Sequence, residues 1–253
     1  MALLRRSLSL LLAALLLVPA SASAQSDDGL SVLVYSHTNG YRHQAIPDGI
    51  DAVQSLGEAH GWTVEATEDS TVFRSDRLSD VDVVVFMNTT GDAVGPEGEP
   101  ALRAFVENGG GYVGVHSAAD TEYEWDWYGD LVGAYFDSHP RVQEATVRVE
   151  DTAHSSTRML PDDWVRRDEW YNYRESPRGD VTVLMSLDES TYDGGAMGSD
   201  HPIAWYHTVG DGRSWYTGGG HTTAAFEDQQ FRAHLLGGIR WAAGVAESAS
   251  AAK

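Results

Sequence analysis

Gly109-Gly110-Gly111-Tyr112-Val113-Gly114-Val115-His116-Ser117-Ala118-Ala119-Asp120 is the stretch on which the fold turns. Leu102, Phe105 and Val106 precede it at helical spacing, so a helix is expected to stop at the three glycines. Tyr112 to Val115 is then a short, continuously apolar run, the pattern of a strand buried on both faces. A histidine and small polar residues follow at once. Helix, glycine stop, buried strand and polar turn predict a parallel sheet with its chemistry at the carboxyl ends of the strands.

The alternation continues toward the amino terminus. Ser31 to Tyr35 predicts a buried strand, and Ile46, Ile50, Val53 and Leu56 a helix that ends near Gly61. Thr63 to Ala66 alternates like a second strand, and Val83 to Met87 reads as a third, central one. The carboxy-terminal half is less regular. Val142 to Val149 and Val181 to Leu187 alternate like strands, and Ile203 to Val209 with Ser214 to Tyr216 predicts a pair turning at Gly210-Asp211-Gly212. Phe231, Leu235 and Ile239 mark a closing helix that runs to Trp241. The expectation is one α/β domain over residues 25–246, a mainly parallel sheet with helices on both faces. Residues 247–253 are small and polar and are expected to form a disordered tail.

Residues 1–24 are expected to leave the chain as a secretory leader. Arg5 and Arg6 supply the positive start, Leu8 to Val18 the apolar centre, and Ala22-Ser23-Ala24 the small residues before the cut. The apolar centre is too short to span a bilayer. Arg5-Arg6 also suits a twin-arginine signal, so the export route stays open. The expected location is secreted or periplasmic, with no membrane anchor.

The chain has 38 acidic against 17 basic residues, a formal net charge of −21, and no cysteine. Thiol catalysis and disulfides are therefore excluded. The single lysine is Lys253. Such a surface repels phosphate backbones, which argues against a nucleic-acid partner. A saline habitat and an ordinary acidic secreted protein both fit; loss of stability on dialysis to low salt would select the first.

Several polar clusters fall at predicted strand ends. His37, Arg42 and His43 crowd the loop after the first strand. His116 occupies the strand-to-turn position of a nucleophile elbow, but histidine stands where serine or cysteine would. Imidazole there suits acid-base work or metal ligation. His139, the run Asp168-Glu169-Trp170-Tyr171, Arg213 and His221 after Gly218-Gly219-Gly220 complete the candidates. Tyrosines and tryptophans at 123–128 and 164–173 offer flat faces for sugar rings, though core packing is the ordinary use of any one of them.

On these residues the chain resembles the ThuA-like (trehalose-utilisation-like) family. The resemblance runs from Val32 to Gly244. It rests on Tyr41-Arg42-His43, the stretch 109–116, Asp120, His139-Pro140, Asp168-Glu169 and Tyr171. It continues through Pro202-Ile203-Ala204-Trp205, Gly212-Arg213, Tyr216-Thr217, Gly220-His221-Thr222 and Trp241. It implies a flavodoxin-like three-layer sandwich of the class I glutamine amidotransferase type. The amidotransferase cysteine is replaced by His116, so glutamine hydrolysis by that route is excluded. The resemblance also implies a carbohydrate substrate such as a disaccharide, a glycoside or a keto-sugar derivative.

Two functions follow. In the first, an enzyme uses His116 to move a proton, with Asp120 or Glu169 assisting. His37, Arg42, His43, Tyr171 and Arg213 would then hold the substrate. A variant places a divalent metal such as zinc on His43, His139 and His221 together with a carboxylate. In the second, the chain is a non-catalytic glycan-binding protein that keeps only the pocket.

Overall fold

The computed structural model describes residue 27, residues 29–74 and residues 76–245. The expected leader and the expected tail at 247–253 lie outside the described residues. Among the described residues no helix is long and apolar enough to cross a membrane.

Strand β1 (Ser31–Tyr35) leads into helix α1 (Ile46–His60), which Gly61 closes in a left-handed turn. Strands β2 (Thr63–Thr67) and β3 (Val83–Met87), helix α2 (Glu99–Glu107) and strand β4 (Gly111–Val115) follow. Helix α3 (Asp126–Val132) and strands β5 (Phe136–Ser138), β6 (Gln143–Val149), β7 (Asp163–Asp168), β8 (Asn172–Tyr173) and β9 (Thr182–Leu187) come next. Strands β10 (Pro202–Val209) and β11 (Gly212–Thr217) and helices α4 (Thr223–Glu227) and α5 (Gln229–Ala242) end the described chain.

One nine-stranded sheet runs in the order β2-β1-β3-β4-β11-β10-β9-β6-β7, and β5 pairs with β8 apart from it. The α/β class stands, and the large sheet is mixed, with only β10 and β6 running against the other strands. Strands β2, β1, β3, β4 and β11 are parallel, and each pairing from β11 out to β7 is antiparallel. The physical reason is the short turn at 210–212. It can join only antiparallel neighbours, and so reverses the chain at the middle of the sheet.

Helices cover both faces, and β11 shows how. Ser214 donates to the Leu131 carbonyl of α3 on one face, while Trp215, its neighbour, packs on α5 on the other. A Cβ at Gly238 would lie 2.5 Å from the Trp215 ring, so only glycine lets α5 approach this closely. Every residue of β3 and β4 is buried. The antiparallel half curls back over α5. The Arg166 guanidinium of β7 lies 4.4 Å from the centre of the Phe231 ring of α5.

His234 of α5 is fully buried in this layer, and its Nδ1 donates to the Ser156 carbonyl at 2.8 Å. Burial pushes its pKa down to about 3, and Arg166 and His154 add repulsion. The unfolded chain protonates this ring below a pH of about 6.5, while the folded one stays neutral. The unfolded state then binds more protons, so stability falls as pH drops from that value toward 3. We expect a loss of about 2 kcal/mol at pH 5 from this ring alone. Chemical denaturation of wild type and His234→Asn across pH 7.5 to 4.5 checks it, since the variant should show the shallower decline.

Candidate functional site

Four side chains from four strand ends meet at one point. His43 lies in the loop after β1, His116 directly follows β4, Glu169 directly follows β7, and His221 lies just past β11. The four reversals between β11 and β7 leave β7 running in the same direction as β4 and β11. All four groups therefore stand at carboxyl ends on one edge of the sheet, and the curl of the antiparallel half brings the β7 end to the others.

The contacts have the spacing of a coordination shell. His116 Nε2 lies 3.2 Å from His221 Nδ1 and 3.4 Å from Glu169 Oε2, and His221 Nδ1 lies 3.1 Å from the same oxygen. One donor atom from each of His43, His116, Glu169 and His221 falls within 4.8 Å of every other. Ligands held about 2.0–2.1 Å from a tetrahedral ion lie about 3.3 Å apart, so these separations suit a small divalent cation.

The rings are fixed by their other nitrogens. His116 Nδ1 donates to the Gly218 carbonyl at 2.9 Å, which leaves Nε2 as a lone-pair donor. Ser117 Oγ engages His43 Nδ1 at 3.2 Å and leaves Nε2 free. His116 itself sits at φ +50, a left-handed conformation unusual for a side chain, held by the Tyr216 hydroxyl bonded to its carbonyl at 2.8 Å. The predicted elbow thus exists, and its strained residue is the histidine.

Two of the four groups, His43 and Glu169, stand in the protonation states that a metal ligand needs. Burial pushes His43 down to about 3, helped by the neighbouring His116 and His221, so its ring is neutral at physiological pH. Burial alone would raise the Glu169 carboxyl. The neighbouring His116 and His221 rings outweigh it and hold the group well below the usual range. The same carboxylate holds His221 above its ordinary value against the effect of burial.

Beside these groups opens a cavity of about 450 Å³, walled by Tyr41, Asp120, Phe136 and Tyr171. The Tyr171 ring lies 4.1 Å from the His116 ring and 4.3 Å from Phe136. Burial pushes the Asp120 carboxyl up, partly offset by the Tyr123 hydroxyl, which donates to it at 2.6 Å. A larger, more open hollow of about 510 Å³ lies near Asp82 and Gly110, at the amino ends of the strands, and no histidine lines it.

The sequence candidates divide accordingly. His43, His116, Asp120, Glu169, Tyr171 and His221 gather here. His139 touches Glu169 Oε1 at 3.0 Å, the oxygen turned away from the cluster, and is half exposed. The proposed metal set of His43, His139 and His221 is therefore revised: His116 and Glu169 complete the group, and His139 steadies Glu169. His37 bonds the Glu68 carbonyl, and Arg42 pairs with the Glu68 side chain at 2.6 Å, so both stand outside the cavity wall. Arg213 starts β11 opposite Gly111, at the amino ends of the strands, and cannot reach the site. Sequence reasoning passed over Ser117 as the partner of His43, although it stands next to His116.

Three comparisons bear on this geometry. A family model described as ThuA, trehalose utilisation, matches residues 31–242. No curated protein matches the chain. Among solved structures, a ThuA-like protein from Bacteroides uniformis is 25% identical with a TM-score of 0.73, covering 89% of this chain and 95% of its own. A ThuA-like protein from Parabacteroides merdae is 22% identical with a TM-score of 0.72, covering 85% and 90%, which shows a shared fold.

Proposed function

The chain belongs to the ThuA (trehalose utilisation) family, and from that premise we propose that it is a metal-dependent enzyme acting on a neutral saccharide, disaccharide or keto-glycoside. The observation that carries this reading is the convergence of His43, His116, Glu169 and His221 beside an aromatic cavity. The donor set, three imidazoles and one carboxylate, suits zinc or a similar borderline ion. Such an ion supplies Lewis-acid polarisation of a carbonyl or hydroxyl oxygen.

The chain's own residues supply the rest. Phe136 and the exposed Tyr41 offer aromatic surface to the C–H faces of a sugar, Tyr41 standing over His43 at a ring separation of 4.8 Å, while the buried Tyr171 packs behind them on His116. No arginine or lysine is among the residues lining the cavity, while Asp120 and Glu169 are. Phosphorylated and acidic sugars are thereby disfavoured, and so is nucleic acid. Asp120 faces the cavity without a basic partner in hydrogen-bond contact and is the group placed to take or return a proton next to a carbonyl. His139 holds the outer oxygen of Glu169 and so keeps the inner one directed at the cluster. We also read the parallel half of the sheet as flavodoxin-like, and residues 1–24 as the leader that exports the protein.

The test is metal content of the purified mature chain, paired with a turnover screen of neutral disaccharides and their keto forms with and without chelator. One ion per chain and chelator-sensitive turnover is the expected result. Saccharide binding by the metal-loaded chain with no turnover would sink the enzymatic reading in favour of a glycan binder.

A further inference from the structure

Asp168 is fully buried one residue before Glu169, and its carboxylate joins the two loops that carry Glu169 and His221. Its Oδ1 accepts the backbone N–H of Glu169 at 3.0 Å and of His221 at 3.1 Å. Its Oδ2 accepts the N–H of Gly220 at 2.9 Å and the Arg166 guanidinium at 2.9 Å. The four acceptor sites of the carboxylate are thus all used, each by a donor. Gly220 stands at φ +109, and its carbonyl accepts from Asn88 at 3.0 Å, so this loop is gripped from two sides.

We propose that Asp168 is the positioning residue of the metal centre, a buried carboxylate that fixes the backbone of two of its four ligands. The assignment rests on the metal reading above. Glu169 and His221 come from strand ends separated by β10, β9 and β6 in the sheet, so local structure alone does not set their spacing. A carboxylate suits the role because it only accepts. An asparagine would turn its amide N–H₂ toward at least one of the four donors and lose that contact. Arg166 supplies the counter-charge from between the Trp164 and Phe231 rings, at 4.5 and 4.4 Å, and touches neither ligand.

Asp168→Asn alone would leave the Arg166 charge buried without its counter-ion. The decisive variant therefore removes both charges and every acceptor atom: Arg166→Met/Asp168→Leu, compared with Arg166→Met and wild type. Zinc affinity is measured by titration, and cobalt(II) absorption reports ligand geometry. Arg166→Met keeps the three backbone contacts and is expected to bind zinc within about threefold of wild type. The double variant is expected to bind about 10–100-fold more weakly, the range seen when groups supporting metal ligands are lost. Its cobalt bands should shift and weaken. Equal affinity and an unchanged cobalt spectrum in the double variant would overturn the assignment while leaving the metal centre intact. Absence of metal binding by wild type would overturn the centre and the assignment together.

Discussion

His116→Ala will purify as a folded chain that holds a divalent ion about 10²-fold more weakly. The imidazole is fully buried, with Nδ1 bonded to Gly218 and Nε2 directed at Glu169 and His221. Structural zinc sites bind with about 10–16 kcal/mol, so one ligand of four carries roughly 3 kcal/mol, a factor of about 10² in affinity. Metal binding also stabilises the folded state. At a free concentration one hundred times the Kd it adds about 2.7 kcal/mol, which raises Tm by roughly 5–10 °C in a domain of this size. Thermal scans with zinc and with chelator should show that difference in wild type and little of it in His116→Ala. The positive φ complicates alanine, because a Cβ in the left-handed region is strained whether or not a ring follows it. His116→Gly removes the ring without that strain, and the two variants should lose metal equally. His139→Ala should lose far less, since of the four groups it meets only Glu169, at the outer oxygen. Wild-type affinity in His116→Ala would remove the metal centre.

The parallel half of the sheet was legible because its strands are buried on both faces. Val83 to Met87 and Tyr112 to Val115 are continuous apolar runs, and their helices stop at glycines. The hairpin of β10 and β11 was legible from its turn. Strand β7 was not, because Asp163-Trp164-Val165-Arg166-Arg167-Asp168 places charge at four of six positions. It is an edge strand that alternates exposed and buried, and two of its buried residues are the Arg166 and Asp168 pair. Charge patterning without a partner in view reads as a surface loop. Missing β7 hid the reason that Glu169 reaches the histidines. Identity of the site residues was therefore easier to read than their grouping: His43, His116 and His221 follow the rule of strand carboxyl ends. The misplaced Arg213 broke that rule, standing at the start of its strand. His139 follows the short strand β5, outside the main sheet, and so reaches the cluster only through Glu169.

Asp120→Asn will retain its metal and lose turnover by about 10²–10⁴-fold, the usual worth of a positioned proton-transfer group. Asp120 lines the same cavity as Glu169 and Tyr171 and is not one of the four clustered groups. Burial raises its carboxyl above the ordinary value, which makes it a stronger base than a surface aspartate once ionised. The Tyr123 hydroxyl donates to Oδ1 at 2.6 Å and opposes that rise by favouring the charged form. Removing it in Tyr123→Phe should therefore move the acid limb of the kcat/KM profile to higher pH, because the base must be ionised to act. A residue that only bonds a sugar hydroxyl would change KM without moving the limb, and a purely structural one would change Tm first. Measured together, the metal content, the rate and the pH limb of these two variants separate the ligand set from the proton carrier. Metal-loaded Asp120→Asn at wild-type rate would return the proton transfer to a histidine.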